Sequence, residues 1–261
     1  MSWLASAVRK ALHVVPRPWL IRLSMWTQPL WEPLFRGPGL TDPINGRSYR
    51  RFLPYGYERI RPNALSPGTL SLERHRALWL YMQRHTRWWN SPKEVLHIAP
   101  EQIFHRLFRQ NPQWHVTAVD LHSPLADIKA DITALPFDDN RFDLIFCNHV
   151  LEHIPDDRAA MRELYRVLKP GGTAVVQIPL DPSREKTFED PSVTDPKERA
   201  RLFGQYDHVR VYGMDYFDRL RQAGFQVEAL PVTELFTPEE IRLYALDPNE
   251  ILPLARKPVQ T

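Results

Sequence analysis

The sequence has 261 residues, 43% hydrophobic and 25% charged, which is enough apolar material for one large core and rules out global disorder. Lysine and arginine total 34 against 31 acids, a formal charge of +3; this mild basicity does not by itself imply nucleic-acid binding, and no nucleic-acid partner is expected. The one cysteine, Cys147, excludes an intramolecular disulfide framework, and no run nears the ~18 apolar residues of a membrane span, so a reducing, cytoplasmic setting is expected.

Residues 1–90 form a front section holding seven of the eight tryptophans. Its first 31 residues carry Arg9, Lys10, Arg17 and Arg22 and no acid. Leu4, Val8, Leu12 and Val15 fall at helical spacing, and Trp3, Trp19, Trp26 and Trp31 add amphipathic bulk. Arg9, Lys10, Pro16, Arg17 and Pro18 interrupt the apolar core that a secretory signal needs. Two readings fit: helices docked on the rest of the fold, or an interfacial helix that makes peripheral contact with the inner membrane surface. Residues 71–84 read as a helix capped by Ser71, with Leu78, Tyr81 and Met82 on one face. Arg74, His75 and Arg76 in its first turn read as a solvated face or as an anion site.

From Lys93 the pattern changes. Glu94–Ile98 is a short buried strand, and Ile103, Phe104, Leu107 and Phe108 mark a helix face. His115–Asp120 is a second strand ending in an acid, and Phe142–Cys147 is another. Met161, Leu164, Tyr165 and Leu168 repeat at helical spacing; Lys169–Gly172 is a turn of type II composition, and Thr173–Pro179 is a further strand. Phe225–Ala229 and Glu250–Leu254 supply two closing strands. Strands alternating with helices in units of ~20–30 residues predict an α/β fold, a doubly wound and mostly parallel sheet covered on both faces. The organisation expected is a helical, aromatic-rich extension over 1–90 and an α/β domain over 91–261.

Ligands of such a sheet bind beyond the C-terminal ends of its strands. Glu101 follows the first strand and Asp120 ends the second; an acceptor-only carboxylate at the latter place suits a ribose diol. Asp131 can take an exocyclic amine while Ile132 packs on a purine ring. Asn148–His153 follows the fourth strand position.

These residues carry a resemblance. Ala130-Asp131-Ile132 with Leu135-Pro136-Phe137, Phe142-Asp143-Leu144-Ile145, His149-Val150-Leu151-Glu152-His153-Ile154 and Leu168-Lys169-Pro170-Gly171-Gly172 resemble the class I S-adenosylmethionine-dependent methyltransferases across about residues 93–180. The resemblance implies a seven-stranded Rossmann-like sheet and S-adenosylmethionine as methyl donor. It implies that Asp120, with Leu121, holds the ribose, that Asp131 and Ile132 hold the adenine, and that Asn148 and His149 lie near the methyl. The family's first loop is glycine-rich, whereas here no glycine occurs between Gly68 and Gly171. His97, Ala99, Pro100 and Glu101 fill the place: Ala99 as the smallest side chain, Glu101 as a partner for the donor's ammonium. A narrower resemblance, through Arg51–Gly56, Ser71–Arg76, Lys186–Asp190 and Gly204–Arg210, is to a bacterial subgroup that carries two CxxC pairs in the front section. Asp42, Asn45, Ser66 and Thr69 stand at those positions here. Four oxygen-bearing side chains make a poor zinc site, so hydrogen bonds and aromatic packing are expected to order the segment.

Methyl transfer to an oxygen or a protonated amine needs a base. His149, His153 and His208 are the candidates, each of which can equally be a packing residue; on a helix, His149 and His153 would share a face. The spacing of that pair offers no third ligand, so no metal is expected. Residues 181–212 are rich in charge and read either as a solvated loop or as a lid that grips a small or lipid-linked polar acceptor, with Arg184, Asp207, His208 and Arg210 in contact with it. The competing expectation is a non-catalytic scaffold whose glycine-free loop has lost the cofactor.

Overall fold

The computed structural model describes residues 26–56 and 60–259. The segment 1–31, read as interfacial or docked, lies outside the described residues except for its last six positions, of which Trp26 and Leu30 are largely exposed. No described helix is long and apolar enough to cross a membrane.

The front section opens with two small antiparallel pairs, β1 (Arg36–Asp42) with β2 (Arg47–Tyr49) and β3 (Leu53–Tyr55) with β4 (Arg61–Leu65). The positions that would carry thiolates in the CxxC subgroup form hydrogen-bonded turns instead. Asp42 accepts from the hydroxyls of Ser66 and Thr69 and from the Ile44 N–H. Asn45 donates to the Tyr49 hydroxyl, which donates to the buried Glu32 carboxylate at 2.7 Å, and Tyr49 packs on Phe52. Helix α1 (Glu73–His85) follows. Its N-cap residue is Leu72, not Ser71: the Leu72 N–H donates to His75 Nδ1 at 3.0 Å, while the Ser71 hydroxyl accepts from Thr69.

The main sheet has the order β11-β12-β8-β7-β5-β6. Its members are β5 (Lys93–Ile98), β6 (Trp114–Val119), β7 (Phe142–Cys147), β8 (Leu168–Val175), β11 (Gln226–Pro231) and β12 (Ile251–Arg256). β6, β5, β7 and β8 are parallel, and β12 is antiparallel to both its neighbours. Six strands form where seven are expected. Past β6 the chain makes one bridge, Val119 to Ile128, and the Asp127 carboxylate accepts the Ala118 N–H at 2.8 Å. A side chain thus occupies a ladder position that an added edge strand would use.

Helices cover both faces. On one, α1 and α2 (Gln102–Gln110) press Leu78, Tyr81, Met82, Phe104 and Phe108 against Val95, Leu144 and Phe146. On the other, α3 (Asp157–Val167) and α5 (Tyr216–Gln222) press Met161, Leu164, Phe217 and Leu220 against Leu96 and Ile145. Each large apolar side chain buried this way contributes about 1.5–3 kcal/mol. Helix α3 starts where the Asp156 carboxylate accepts the Ala159 N–H, and its buried face, Ala160, Met161, Leu164 and Val167, follows the helical period. The expected turn at Lys169–Gly172 falls within β8 as an excursion: Phe142 pairs with Leu168, yet Leu144 pairs with Thr173. Gly171 sits at φ +79° in this excursion, and its N–H donates to Lys257 O.

Residues 181–212 are not a bare loop. They hold β9 (Phe188–Glu189), helix α4 (Pro196–Phe203) and β10 (Arg210–Val211), with β9 and β10 paired antiparallel. Asp195 caps α4, Pro196 occupies its first turn, and Gly204 at φ +83° ends it. Two short helices, α6 (Val232–Leu235) and α7 (Pro238–Leu243), pack Val232 and Phe236 against Ala77 and Leu80 of α1.

Candidate active site

The parallel register sets the crevice. Ile98 pairs with Val119 on one side and Cys147 on the other. Ala99, Asp120 and Asn148 therefore leave the sheet at one level, where the connection from β5 to β6 and the return to β7 diverge. Ala99 takes φ +46°, a left-handed conformation that costs an alanine about 1–2 kcal/mol. The turn thus has the backbone shape a glycine would take freely, and its N–H donates to Val119 O at 2.8 Å. Pro100 is buried. His97 is buried too and packs at a tilt against Phe108; burial pushes its pKa down to about 3, and its Nε2 accepts the Glu101 N–H at 3.4 Å. His97 supports the loop backbone from beneath.

Glu101 is the most heavily engaged group. Its Oε1 accepts from Arg74 at 2.8 Å and from His75 at 2.6 Å, and its Oε2 from Asn148 at 3.2 Å. Burial alone would raise its carboxyl pKa, but these neighbours hold it well below the usual carboxylate range. His75 stays neutral because burial lowers its pKa; its Nδ1 accepts the Leu72 N–H, so Nε2 carries the proton donated to Glu101. The first turn of α1 is therefore not a solvated face. Arg76 in the same turn is fully buried.

Asp120 uses Oδ1 for the N–H groups of His122 and Ser123, and among the described residues no hydrogen bond reaches Oδ2. Leu121 beside it is exposed. Asp131 is exposed, and its Oδ1 accepts from both the N–H and the hydroxyl of Thr133. Ile132 departs from expectation: it is buried in the core and so does not lie open to a ring. The Asn148 side chain is buried, with Oδ1 lacking a partner. A left-handed turn at Ala99, an ionised buried carboxylate and an orphaned amide oxygen around one crevice suit the amino-acid end of S-adenosylmethionine. The unengaged Asp120 oxygen suits its ribose.

His149 and His153 do not share a helix face. His149 has φ +54° and precedes a 3-10 turn over Leu151–His153. Its Nδ1 lies 3.4 Å from Glu152 Oε1, whereas His153 Nδ1 faces Asp207 O at 3.2 Å. His208 lies against His153, with ring centroids 4.8 Å apart. Asp207 accepts from Gln205, and one of its carboxylate oxygens lies 3.5 Å from His153. The two arginines read as acceptor anchors are committed elsewhere. Arg184 pairs with Asp181 at the surface. Arg210 is buried and gives its guanidinium to Glu189 and to the carbonyls of Leu151, Ile154 and Pro155. It fastens the insertion and is spent as an anion anchor.

A cavity of about 280 Å³ opens beside His149. Arg61, Glu73 and Arg74 from the front section line it together with Pro179, Asp247 and Glu250. Burial raises the Glu250 carboxyl pKa, and Gln177 donates to it at 3.2 Å. The sequence pattern had offered no signal for Glu250, which immediately precedes the reversed strand β12, nor for a wall built by the front section.

Residues 100–176 match the methyltransferase domain family. This stretch of under a third of the chain is similar to a methyltransferase domain. Among curated relatives, the demethylmenaquinone methyltransferase of Listeria monocytogenes serotype 4a is 46% identical over 57 residues, 22% of this chain and 24% of the relative. The ubiquinone/menaquinone biosynthesis C-methyltransferase UbiE of Enterobacter sp. (strain 638) is 47% identical over 49 residues, 19% of this chain and 20% of the relative. The chain thus spans at most about a quarter of the length of these relatives. Among solved structures, the cyclase SpnF superposes with a TM-score of 0.50 at 18% identity, over 73% of this chain and 84% of that one; at this identity the likeness is one of fold. The matched segment runs along the crevice, from Pro100 through β7 to the C-terminal end of β8.

Proposed function

We propose that the chain transfers a methyl group from S-adenosylmethionine to a small polar acceptor, free or lipid-linked, held in the cavity beside His149. The observation that carries this reading is the common level at which Ala99, Asp120 and Asn148 leave three adjacent strands, with the Glu101 carboxylate at the same crevice. Bound S-adenosylmethionine would supply an activated methyl on a positive sulfur. The protein's part is placement: Glu101 and Arg74 meet the ammonium and carboxylate of the donor's amino-acid end, and Asp120 meets the ribose diol. Such positioning can supply ~7–11 kcal/mol of the barrier. Glu250, whose burial raises its carboxyl pKa and so makes its carboxylate a stronger base, lines the cavity where the acceptor's proton would be taken. The quinone acceptors of the relatives are not carried over, because Arg61, Glu73, Arg74, Asp247 and Glu250 ring the cavity with charge.

One observation favours a second reading, a scaffold without cofactor: Glu101 already has partners of its own in Arg74 and His75. Calorimetry with S-adenosylhomocysteine separates the two. Binding near the micromolar range, weakened at least about tenfold (~1.4 kcal/mol) in Asp120→Ala, is expected of the methyltransferase. Absence of binding to the wild-type chain would leave the scaffold.

A further inference from the structure

We infer that Glu152, His153 and His208 form a binding site for one divalent transition-metal ion. One carboxylate oxygen of Glu152 and one ring nitrogen from each histidine lie within 4.8 Å of one another. Neighbouring ligands ~2.1 Å from a shared ion stand ~3.0–3.4 Å apart at octahedral or tetrahedral angles, so a contraction of about 1–2 Å closes the set. The spacing of His149 and His153 offered no third donor; the fold supplies it from the insertion, 55 residues beyond His153 (208 − 153). That delivery is firm. Val209 N–H donates to Glu152 O at 2.9 Å, and Arg210 grips the carbonyls on either side of the 3-10 turn.

Three independent features point the cluster at a cation. Glu152 is only 1% exposed, its Oε2 has no hydrogen-bond partner, and among the described residues no lysine or arginine pairs with it. A carboxylate buried so incompletely compensated calls for a positive group. Both histidines have Nδ1 engaged by a backbone carbonyl: His153 Nδ1 faces Asp207 O and His208 Nδ1 faces Phe203 O, each at 3.2 Å. A carbonyl accepts only, so each ring keeps its proton on Nδ1 and leaves the Nε2 lone pair free. Finally, His149 contributes a buried Nε2 without a partner at the rim of the set, 3.4 Å through Nδ1 from Glu152. Two imidazoles and one carboxylate with open positions suit manganese, iron, cobalt or zinc rather than magnesium or calcium. His149, which lines the acceptor cavity, lies between that cavity and Glu152; any part of the ion in catalysis rests on the methyl-transfer reading, whereas metal binding does not.

The test uses the full chain, stripped with a chelator and titrated with Co2+ alone, without S-adenosylmethionine, by visible absorption and calorimetry. One Co2+ per chain is expected, with ligand-field absorption and a rise in thermal midpoint. His153→Gln and His208→Gln, checked for native circular dichroism, should each weaken binding by more than about 100-fold, beyond the ~10–100-fold cost of losing a group that only orients a ligand. His115→Gln, a histidine paired with Glu94 at the far end of the sheet, should bind as the wild type does. Glu152→Gln should also lose the ion, but the decision rests on the two histidine variants because Glu152 is buried. No saturable binding up to about 1 mM Co2+ (~4 kcal/mol), or binding left intact by both histidine variants, overturns the site. Donor binding is scored separately by the homocysteine-product calorimetry above, so the failure of one does not decide the other.

Discussion

Arg76 shows what a single side chain does in the front section. Its guanidinium donates to four backbone carbonyls, of Ala64, Ser71, Tyr244 and Ala245, at 2.6–3.0 Å, and stacks on Phe52. Among the described residues no carboxylate lies within hydrogen-bond reach of it, and burial pulls its pKa down to about 10. Three separate chain segments therefore share one donor group. Arg76→Leu would take this donor from all four carbonyls, of which Ser71 O keeps the Ser66 N–H, and each group left unsatisfied costs about 1–3 kcal/mol. Urea denaturation should show that drop in stability at unchanged m-value; a loss under about 1 kcal/mol would refute the assignment. At this scale the sequence exposed some roles and hid others. Asp120 and Asp131 draw attention as acids between the strands, and each is found with one oxygen accepting N–H groups of its own turn. Ile132 misled because apolar side chains fit a ring and a core equally well, and here the core won. Arg210 misled because a cation in a charged stretch carries no mark of the three carbonyls waiting for it.

At the scale of elements, the four parallel strands were legible because each is a short apolar run bounded by polar turns. The reversal of β12 was not, since strand direction leaves no trace in composition. The edge position went unfilled for a local reason: Asp127 serves Ala118 with its side chain. The insertion's structure was also hidden, because its stability comes from ion pairs between distant residues. Arg219 on α5 bridges Asp157 on α3 and Glu189 on β9, at 2.9 Å each, and Arg210 joins the same Glu189. These bonds hold the Glu189 carboxyl below its usual range despite the desolvation that opposes them. Arg219→Met should free β9 and β10 while sparing the main sheet. Limited proteolysis is expected to cut within 188–209 at least several-fold faster, as local opening becomes cheaper. Unchanged cleavage there would show that the insertion is held by packing alone.

For the molecule as a whole, the division at residue 90 does not separate an appendage from a catalytic unit. Helix α1 shares a core with β5 and β7, and its first turn delivers Arg74 and His75 to Glu101 on the other side of that boundary. The link is electrostatic, so it has a pH signature. Glu101 is held well below its ordinary value, chiefly against burial and by His75 and Arg74. A carboxyl depressed in the folded state binds its proton more readily when unfolded. Its stabilisation is therefore complete above the unfolded value of ~4.3 and is lost as pH falls toward the folded value. In Glu101→Gln that loss has nothing to act on. Thermal midpoints of the two proteins, measured from pH 6 down through ~4.3 to about pH 3, should converge as acid is added, with the wild type higher at pH 6. The variant should also loosen the front section, read as faster amide exchange across α1 at pH 6. If the two midpoints stay parallel over this range, the Arg74 charge and the His75 hydrogen bond do not tie the front section to the crevice, and α1 is held there by its apolar face alone.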